Sequence, residues 1–248
     1  MDKKVPDAAL ILAGGLGTRL RPITNIIPKS LVDIGGKPTI AHTIEEIGRN
    51  GIKNIYISVG CKAEKIEEYL KNYATPADII IIREKRLLGT GGAIALAIKR
   101  MRRGDIFVTN GDDLFRLDMQ DMYAFHKKHG SEVTIGIRKA KSNAELSSSG
   151  VVKLRNSKVL GFVEKPKPKD APSRYISMGK YIFSTSMARY FPKKRKFSFE
   201  HEFLEKVTEK VKVYSYRVKG PWYTTDTPER LGIARSKWRA PGEDFGRV

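Results

Sequence analysis

The sequence predicts a mixed α/β fold in which a mainly parallel sheet is flanked by helices. In the first half of the chain, short apolar runs that are typical of buried strands alternate with amphipathic stretches. One such stretch, Thr39–Arg49, carries apolar residues at Ile40, Ile44 and Ile47, which is the spacing of one helix face. Because strands and helices alternate regularly, we expect a Rossmann-like sheet with helices on both faces.

The elements can be placed in chain order from this patterning. Apolar runs in the first half predict strands at Ala8–Leu12, Leu31–Ile34, Ile55–Val59, Ile79–Ile82 and Ile106–Thr109. The stretches between them predict helices at Thr39–Arg49, Ala63–Tyr73, Gly92–Arg102 and Asp118–His129. Beyond Gly130, consecutive strands predict an antiparallel addition to the sheet, at Glu132–Arg138, Gly150–Leu154, Leu160–Glu164 and Arg174–Phe183. The remaining predicted elements are helices around Ser186–Tyr190 and Phe199–Glu209, a strand at Val211–Arg217 and a helix from Thr227.

The length of 248 residues fits one large domain whose core needs no disulfide or metal to fold. We place this domain at residues 1–240, followed by a loosely ordered tail at 241–248. Cys61 is the only cysteine, which excludes intrachain disulfides and cysteine-rich zinc sites. No apolar run approaches the roughly 20 residues of a membrane span, and the N-terminal apolar segment is too short for a signal peptide. We therefore expect a cytoplasmic protein without a membrane partner.

The charge balance points to anionic partners. Lysine and arginine number 47 against 27 acidic residues, a formal net charge of +20. Such an excess is typical of proteins that bind nucleic acids, acidic membranes or phosphorylated small molecules. Because no nucleic-acid motif or aromatic stacking run is recognised, we expect no specific nucleic-acid partner. The basic run Pro192–Phe197 (PKKRKF) is expected to be a solvated surface loop, with nuclear import or nucleic-acid binding as the alternative.

The most specific motif is Leu12–Leu31, LAGGLGTRLRPITNIIPKSL, which follows the first predicted strand. Its glycines therefore lie at the carboxyl edge of a parallel sheet, where open α/β folds bind ligands. Gly14, Gly15 and Gly17 would let backbone N–H groups approach a phosphate closely. The Walker pattern is absent, and Leu20 stands where the dinucleotide fingerprint needs its third glycine.

Two prolines, Pro22 and Pro28, prevent one helix from running through this motif. We therefore expect an extended glycine-rich loop with two cations, Arg19 and Lys29, held against it. The alternative is a surface turn with solvated cations.

This motif resembles the signature of the sugar-1-phosphate nucleotidyltransferases, or NDP-sugar pyrophosphorylases, GGxGTRLxPxTxxxPKxL, at every fixed position. Further matches follow in the family's order, at Leu88–Ala97 (LGTGGAIALA), Asn110–Asp112 (NGD), Gly150–Leu154 (GVVKL), Phe162–Pro166 (FVEKP), Met178–Phe183 (MGKYIF) and Asp226–Leu231 (DTPERL). The resemblance implies the nucleotide-diphospho-sugar transferase fold. A nucleotide-binding half would span about residues 1–130, and an antiparallel sugar-binding lobe about residues 131–234.

The resemblance implies an enzyme in which a sugar-1-phosphate oxygen attacks the α-phosphorus of a nucleoside triphosphate and pyrophosphate leaves. No covalent intermediate is needed, and His126 and His129 are expected to be surface residues of a polar helix. Catalysis would come from alignment and charge neutralisation. Arg19 would bind the triphosphate and the departing pyrophosphate, whereas Lys29 would balance charge on the α-phosphate and the sugar phosphate.

The resemblance also implies where the two substrates bind. Gly89 would approach the base or ribose, and the rest of the nucleotide pocket would be formed by Leu12, Ala13, Gly14, Gly15, Gly17 and Thr18. The sugar phosphate would bind at Gly150, Glu164, Lys165 and Gly179. Ser177-Met178-Gly179 stands where many relatives have Asn-Ala-Gly, so we expect an altered contact with a sugar hydroxyl.

Asp112, in the NGD motif, is the expected ligand of Mg²⁺, which prefers a few carboxylate oxygens together with phosphate oxygens and water. Its neighbour Asp113 is expected to point elsewhere. Many relatives read Trp-x-Asp-x-Gly-Thr-Pro, and that aspartate shares the metal. Thr224 occupies its position here, so we expect Asp226 to be the second ligand. The alternative is that Asp226 only caps the helix that follows.

The choice of base and sugar depends on the loop Glu84–Gly89 and on a few hydroxyl contacts. We favour GTP with mannose 1-phosphate or a related sugar, because FSFEHEFLEKV and YSYRVKGPW resemble the closing region of such guanylyltransferases. UTP or dTTP with glucose 1-phosphate is the nearest alternative. A non-catalytic regulatory or RNA-associated protein on this fold is another hypothesis, against which intact Arg19, Lys29 and Asp112 argue. Self-association into a homo-oligomer is left open.

Overall fold

The computed structural model describes residues 4–239 and shows a nine-stranded sheet with helices packed on both faces, as the sequence predicts. The strands are β1 Ala8–Ala13, β2 Asp33–Ile34, β3 Lys37–Pro38, β4 Asn54–Val59, β5 Asp78–Arg83, β6 Asp105–Asn110, β7 Asp113–Phe115, β8 Val133–Lys139, β9 Gly150–Arg155, β10 Lys158–Glu164, β11 Tyr175–Ser184, β12 Val213–Arg217 and β13 Trp222–Thr224. The α-helices are α1 Ile23–Ile26, α2 Thr39–Arg49, α3 Ala63–Lys71, α4 Gly89–Ile98, α5 Met119–Lys128, α6 Asn143–Ser148, α7 Glu205–Val207 and α8 Pro228–Lys237.

The main sheet has the strand order β5-β4-β1-β6-β11-β8-β12-β10-β9. Strands β5, β4, β1 and β6 are parallel to one another. Strand β11 is antiparallel to both β6 and β8, and it thereby joins the parallel block to the strands of the second half. One sheet therefore runs through both predicted halves of the chain.

Strand β1 shows why both faces of the sheet are covered. Ala9 and Ile11 belong to the apolar cluster that includes residues of α2 and α3, whereas Ala8 and Leu10 belong to the cluster that includes residues of α4. All four are buried, because successive side chains of a strand point to opposite faces. A continuous apolar run is the corresponding sequence pattern for a strand buried on both sides.

Strand β11 carries the irregularity that shapes the ligand-binding edge. Its pairing with β8 shifts register between Ser177 and Tyr181, and Gly179 within this bulge has a left-handed φ of +67°. Glycine adopts this conformation without steric cost. A Cβ atom there would lie 2.9 Å from Nδ2 of Asn110, so the bulge also approaches the end of β6 closely.

Helix α4 begins at Gly89, earlier than the predicted Gly92. The carbonyl oxygen of Phe197 accepts hydrogen bonds from the N–H groups of Gly91 (3.0 Å) and Gly92 (3.3 Å). The start of this helix is therefore stabilised by a segment more than a hundred residues later in the chain. The predicted helix Phe199–Glu209 forms as a π-helical segment, Phe199–Leu204, followed by α7.

The prediction that His126 lies on the surface is wrong. Its side chain is buried, its Nδ1 lies 2.8 Å from Oγ1 of Thr134, and burial lowers its pKa to about 4. Met119, Met122 and His126 share one face of α5 at helical spacing, and this face packs against the sheet. The apolar periodicity of the helix therefore includes the histidine.

The predicted tail at 241–248 lies outside the described residues. Residues 4–239 contain no helix that is long and apolar enough to cross a membrane.

Candidate active site

A cavity of about 650 Å³ opens at the carboxyl edge of the parallel strands. Every site residue predicted from the sequence lines it: Leu12, Ala13, Gly14, Gly15, Gly17, Thr18, Arg19, Lys29, Gly89, Asp112, Gly150, Glu164, Lys165, Gly179 and Asp226. The fold thus brings together motifs that are more than two hundred residues apart. The roles assigned to these residues remain predictions.

The order of the strands divides the cavity into three regions, which are named here after the ligand groups that the sequence predicts for them. The base end lies after β1 and β5, at Gly14 and Glu84. The phosphate centre lies after β1 and β6, and it contains Arg19, Lys29, Asp112 and Asp226. The sugar end lies beside β9, β10 and β11, and it contains Gly150, Glu164, Gly179 and Glu200.

The glycine-rich loop is folded into short helical turns rather than being extended. Arg19 lies on the first 3₁₀ turn, Thr18–Leu20, and Lys29 begins the second, which follows Pro28. Gly17 enters the first turn with a φ of +62°, and the hydroxyl of Thr24 donates to its carbonyl oxygen at 2.8 Å. These turns hold both cations against the cavity.

In the phosphate centre, each expected metal ligand is paired with a cation. Lys29 Nζ forms an ion pair with Oδ2 of Asp112. Arg19 lies 2.9 Å from Oδ2 of Asp226, and one guanidinium nitrogen of Arg230 donates to both carboxylate oxygens of Asp226, at 3.0 and 3.2 Å. The phosphate centre therefore contains three cations against two ion-paired carboxylates, an excess of one positive charge.

One hydrogen bond joins the two segments that carry the carboxylates of the phosphate centre. The hydroxyl of Thr225 donates to the carbonyl oxygen of Asp112 at 2.9 Å, which ties the segment before α8 to the end of β6. Burial opposes ionisation of Asp226, but Lys29, Arg230 and Arg19 outweigh it and lower the pKa of this carboxyl group. Asp226 is therefore a carboxylate at neutral pH.

The alternative role of Asp226 as a helix cap is wrong. Thr227 is the N-cap of α8, and its hydroxyl oxygen accepts a hydrogen bond from the N–H of Arg230 at 3.3 Å. The carboxylate of Asp226 lines the cavity instead. Arg230, which the sequence motifs did not single out, also donates to Oγ of Ser148 at 3.0 Å. The sequence did contain a signal for the contact of Arg230 with Asp226, because residues four positions apart meet on one side of a helical turn.

Asp113 lines the same cavity as Asp112 but is paired with a different cation. Its carboxylate lies 2.7 Å from Nζ of Lys180, and the side chains of the pair are 4% and 0% exposed. The same ammonium group lies 4.4 Å from the ring centroid of Phe115. This buried pair supports the bulge of β11 and the start of β7 from beneath the cavity.

At the base end, Glu84 has a defined orientation. Its Oε1 accepts a hydrogen bond from the hydroxyl of Ser58 at 3.0 Å, and its Oε2 accepts one from the N–H of Leu88 at 3.1 Å. A Cβ atom at Gly14 would overlap with this carboxylate, so the glycine permits the close approach. Burial raises the pKa of Glu84, although both hydrogen bonds oppose the shift.

At the sugar end, Glu164 and Lys165 lie at the end of β10. Lys165 has a left-handed φ of +48°, and its Nζ lies 3.2 Å from Oε1 of Glu164. Oε2 of Glu164 is buried and has no hydrogen-bond partner within the described part of the chain. Burial and the nearby carboxylate of Glu200 raise the pKa of Glu164, while Lys165 opposes the shift.

Ser177 occupies the position of the asparagine in the Asn-Ala-Gly motif with which the sequence analysis compared it. Its hydroxyl donates to the phenol oxygen of Tyr181 at 3.2 Å and accepts from the N–H of Gly179 at 3.2 Å. The hydroxyl of Ser177 is therefore engaged within β11. Tyr181 and Glu200 also line the cavity. Both lie within segments that resemble the family, MGKYIF and FSFEHEFLEKV, but the sequence analysis assigned neither of them a role.

The basic run Pro192–Phe197 borders the cavity and is only partly the solvated loop that was predicted. Its residues 193–196 are exposed, but Phe197 is buried and Lys196 lines the cavity. Phe197 holds the run in place because its N–H donates to the carbonyl oxygen of Leu88 at 3.0 Å.

Comparison with known families agrees with this geometry. A family model described as "Nucleotidyl transferase" matches residues 8–238, which is nearly the whole chain. The chain belongs to the nucleotidyl transferase family. All three regions of the cavity lie within the matched residues of this family member.

Named relatives of this family member include guanylyltransferases. A D-glycero-alpha-D-manno-heptose 1-phosphate guanylyltransferase of Aneurinibacillus thermoaerophilus is 33% identical over 208 residues, covering 84% of this chain and 88% of that protein. A mannose-1-phosphate guanyltransferase of Schizosaccharomyces pombe is 37% identical over 229 residues, covering 89% of this chain and 61% of that protein. The chain thus spans about three-fifths of the length of the mannose-1-phosphate relatives it matches.

Solved structures show the same architecture. HddC from Yersinia pseudotuberculosis, in a crystal structure complexed with GMP-PN, superposes with a TM-score of 0.77 at 29% identity and covers 94% of this chain and 99% of that one. A UDP-glucose pyrophosphorylase complexed with UDP-glucose gives a TM-score of 0.81 at 23% identity, covering 93% and 97%. At that identity the second likeness concerns the fold alone.

Proposed function

We propose that this protein transfers a guanylyl group from GTP to a sugar 1-phosphate of the mannose type, giving a GDP-sugar and pyrophosphate. The observation that carries the proposal is the single cavity with an acceptor carboxylate at the base end, cations in the phosphate centre and carboxylates at the sugar end. The guanylyltransferases among the relatives support both the base and the sugar.

The chemistry of Glu84 supports guanine as the base. A carboxylate only accepts hydrogen bonds and has about four lone-pair sites, of which Ser58 and Leu88 occupy two. Guanine presents two adjacent donors, N1–H and the N2 amino group. Uracil and thymine present one N–H between two carbonyl oxygens, and adenine and cytosine present an amino group beside a ring acceptor. Only guanine therefore matches both free acceptor sites of Glu84.

The phosphate centre would perform the transfer by charge neutralisation and alignment. Arg19 would leave Asp226 to bind the β- and γ-phosphates, and Lys29 would bind the α-phosphate and the phosphate of the sugar. An oxygen of the sugar phosphate would then attack the α-phosphorus in line. The bond from that phosphorus to the bridging oxygen breaks, and pyrophosphate leaves with its charge neutralised by Arg19.

The donor set of the phosphate centre fits magnesium. The described residues contain no group of three or more histidine, cysteine or acidic side chains that could hold a metal alone. Asp112 and Asp226 supply hard oxygen donors beside the expected phosphates, and Mg²⁺ is usually bound by one or two carboxylates plus substrate phosphates. When bound, Mg²⁺ would polarise the phosphoryl oxygens and neutralise developing charge.

The test is a matrix of nucleoside triphosphates against sugar 1-phosphates, scored by pyrophosphate release in the presence of magnesium. We expect the highest kcat/KM for GTP with mannose 1-phosphate or a manno-configured heptose 1-phosphate. A preference for UTP or dTTP with glucose 1-phosphate would overturn the assignment of base and sugar. No release with any pair would favour a non-catalytic regulatory protein.

The variant Glu84→Gln tests the base contact separately. A glutamine can donate as well as accept, so we expect the kcat/KM ratio of GTP to UTP to fall by about tenfold or more, the value of one bidentate contact. Glu68→Gln removes an exposed carboxylate of α3 and serves as the matched control. An unchanged GTP to UTP ratio in Glu84→Gln would refute the role of Glu84.

A further inference from the structure

Lys180 places a fully buried ammonium group directly beneath the cavity. Its side chain is 0% exposed, and its Nζ lies 2.7 Å from Oδ2 of Asp113. The same nitrogen donates to the carbonyl oxygen of Met178 at 3.2 Å and lies 4.4 Å from the ring centroid of Phe115. An ammonium group has three donors and no acceptor, so the three contacts match its bonding capacity. Lys180 therefore joins β7, which carries the carboxylate and the ring, to the bulge of β11.

The lysine lies on an apolar face of the sheet. Ile182, two residues later on the same face of β11, belongs to the buried cluster that contains Phe107 and Phe115. A Cβ atom at Gly136 on the neighbouring strand β8 would lie 3.1 Å from the Cβ of Lys180, so the glycine leaves room for the long side chain. The charge of Lys180 is therefore surrounded by apolar groups, and Asp113 compensates it.

Stability alone gives little reason for a charged pair at this place. Taking two charges out of water costs free energy that their attraction only partly returns, and apolar residues of similar volume often stabilise a fold equally well or better. The ion pair of Lys180 with Asp113 fixes positions instead, because the short contacts of the ammonium group define where two separate strands lie relative to each other.

Asp113 connects the ammonium group to both expected metal ligands. It directly follows Asp112 in the chain, and in the ladder of β7 with β13 it pairs with Thr224. The hydroxyl of Thr224 in turn donates to Oδ1 of Asp226 at 3.0 Å. A displacement of Asp113 would therefore be transmitted to the backbone of one carboxylate and to a hydrogen-bond partner of the other.

Met178 connects the same ammonium group to the sugar end. It precedes Gly179, whose left-handed φ of +67° forms the bulge of β11. A Cβ atom at Gly179 would lie 2.9 Å from Nδ2 of Asn110 and 4.0 Å from Oδ2 of Asp113, so the bulge lies close to the pair. The hydrogen bond from Lys180 to the carbonyl oxygen of Met178 fixes the start of this bulge.

We propose that Lys180 is a positioning residue for the transfer reaction, which acts through Asp113 and Met178 to set the metal ligands at a fixed distance from the bulge at the sugar end. The proposal rests on the proposed function but not on the identity of the base or the sugar. In-line attack requires the sugar phosphate and the α-phosphorus to be aligned, and a misplacement of about 1 Å can cost about a hundredfold in rate.

The experiment compares the wild type with the double variant Asp113→Asn/Lys180→Met, which removes both charges and nearly keeps both side-chain volumes. Lys180→Met alone leaves a buried carboxylate without its cation, so we expect its melting temperature to fall by about 10 °C. The double variant should melt within about 3 °C of the wild type. Its kcat should nevertheless fall about a hundredfold.

Metal binding provides a readout without turnover. In calorimetric titration of the nucleotide-free protein with Mn²⁺, the Kd of the double variant should rise about tenfold, as is typical when a residue that orients a metal ligand is removed. The double substitution leaves the net charge unchanged, so a weaker affinity reports the position of the ligands. Binding of the nucleoside monophosphate that contains the preferred base should be unchanged, because the base end lies outside these contacts.

The matched control is Asp105→Asn/Lys127→Met, which removes an ion pair at the opposite end of β6 and should retain both kcat and Mn²⁺ affinity. Wild-type kcat and Mn²⁺ affinity in Asp113→Asn/Lys180→Met would overturn the proposal and leave the pair a purely structural element. A parallel loss of melting temperature and of monophosphate binding would overturn it as well, because it would show general unfolding. If the wild type releases no pyrophosphate with any substrate pair, the proposed function fails instead, and the Mn²⁺ comparison alone decides the role of Lys180.

Discussion

The phosphate centre and the sugar end each contain two carboxylates, but the two regions differ in what the carboxylates contact. In the phosphate centre, Asp112 is paired with Lys29, and Asp226 with Arg19 and Arg230. At the sugar end, Glu200 accepts hydrogen bonds from hydroxyl groups. One oxygen of Glu164 lies 3.2 Å from Nζ of the exposed Lys165, and the other has no hydrogen-bond partner among the described residues.

The difference matches the chemistry of the two halves of the proposed substrate pair. Phosphates carry negative charge. The cations that would bind them can therefore form ion pairs with carboxylates until the phosphates and a metal ion bind. A sugar ring carries neutral hydroxyls, which can donate hydrogen bonds to carboxylates that are not fully paired with cations. In the proposed function, carboxylates would bind a metal ion in one region and accept hydrogen bonds from hydroxyls in the other.

Asp226→Asn tests the phosphate centre most directly. We expect kcat/KM to fall by about a hundredfold or more, because an amide is a poor ligand for a hard cation. The melting temperature should fall as well, because Arg19 and Arg230 lose their anionic partner. The control Thr227→Ala should cost about 1 kcal/mol of stability through loss of the α8 cap but retain activity, which separates the loss of stability from the loss of turnover. Near-normal turnover of Asp226→Asn at limiting magnesium would leave Asp112 as the one protein carboxylate on the metal.

Arg19→Gln tests whether the guanidinium group of Arg19 competes with a metal ion for the carboxylate of Asp226. Removing a positive charge 2.9 Å from Asp226 should strengthen Mn²⁺ binding to the nucleotide-free protein by about fivefold, a value that corresponds to about 1 kcal/mol at a solvent-exposed pair. The same variant should bind the nucleoside triphosphate more weakly. Calorimetric titration with Mn²⁺ alone provides the measurement, and Arg21→Gln, an exposed neighbour outside the cavity, provides the control. Equal or weaker metal binding by Arg19→Gln would contradict the competition.

Glu164→Gln should have the smallest effect of the three variants. We expect it to raise the free energy of unfolding rather than to lower it. Burial and Glu200 raise the pKa of this carboxyl group above its ordinary value of 4.5, so its ionisation costs folding free energy as the pH rises through the shifted pKa. The amide avoids this cost, so we expect the variant to gain about 0.5 kcal/mol of stability at pH 8 and nothing at pH 4. Urea unfolding of both proteins at the two pH values measures the difference. A gain that is the same at both pH values, or a loss at pH 8, would argue against an uncompensated charge at the sugar end.

The sequence predicted the parallel block well because its signals are local. The run Ala8–Leu12 is apolar throughout, and a strand buried on both faces requires this composition. Ile79–Ile82 is equally apolar, but it forms the half-buried edge strand β5. Helix α2 was predicted with its observed bounds, Thr39–Arg49, because its apolar spacing and the following Asn50-Gly51 are both encoded within one short window.

Elsewhere the local signals were incomplete. The start of α4 depends on the backbone of Phe197, and His126 is buried because α5 turns it towards Thr134 on β8. The cap of α8 is shifted by one residue, from Asp226 to Thr227, because both are good capping residues and only the tertiary contacts of Asp226 select between them.

By itself, the sequence determined the sheet architecture and the loop that carries Arg19 and Lys29, because glycines, prolines and cations at fixed spacing are properties of one continuous segment. Only the tertiary structure decided which carboxylates are paired and which are free. That distinction depends on contacts such as Thr90 with Glu200 and Lys29 with Asp112, which join residues far apart in the chain. Charge compensation is a property of distances in space, and a sequence pattern contains no information on such distances until the strands are placed in order.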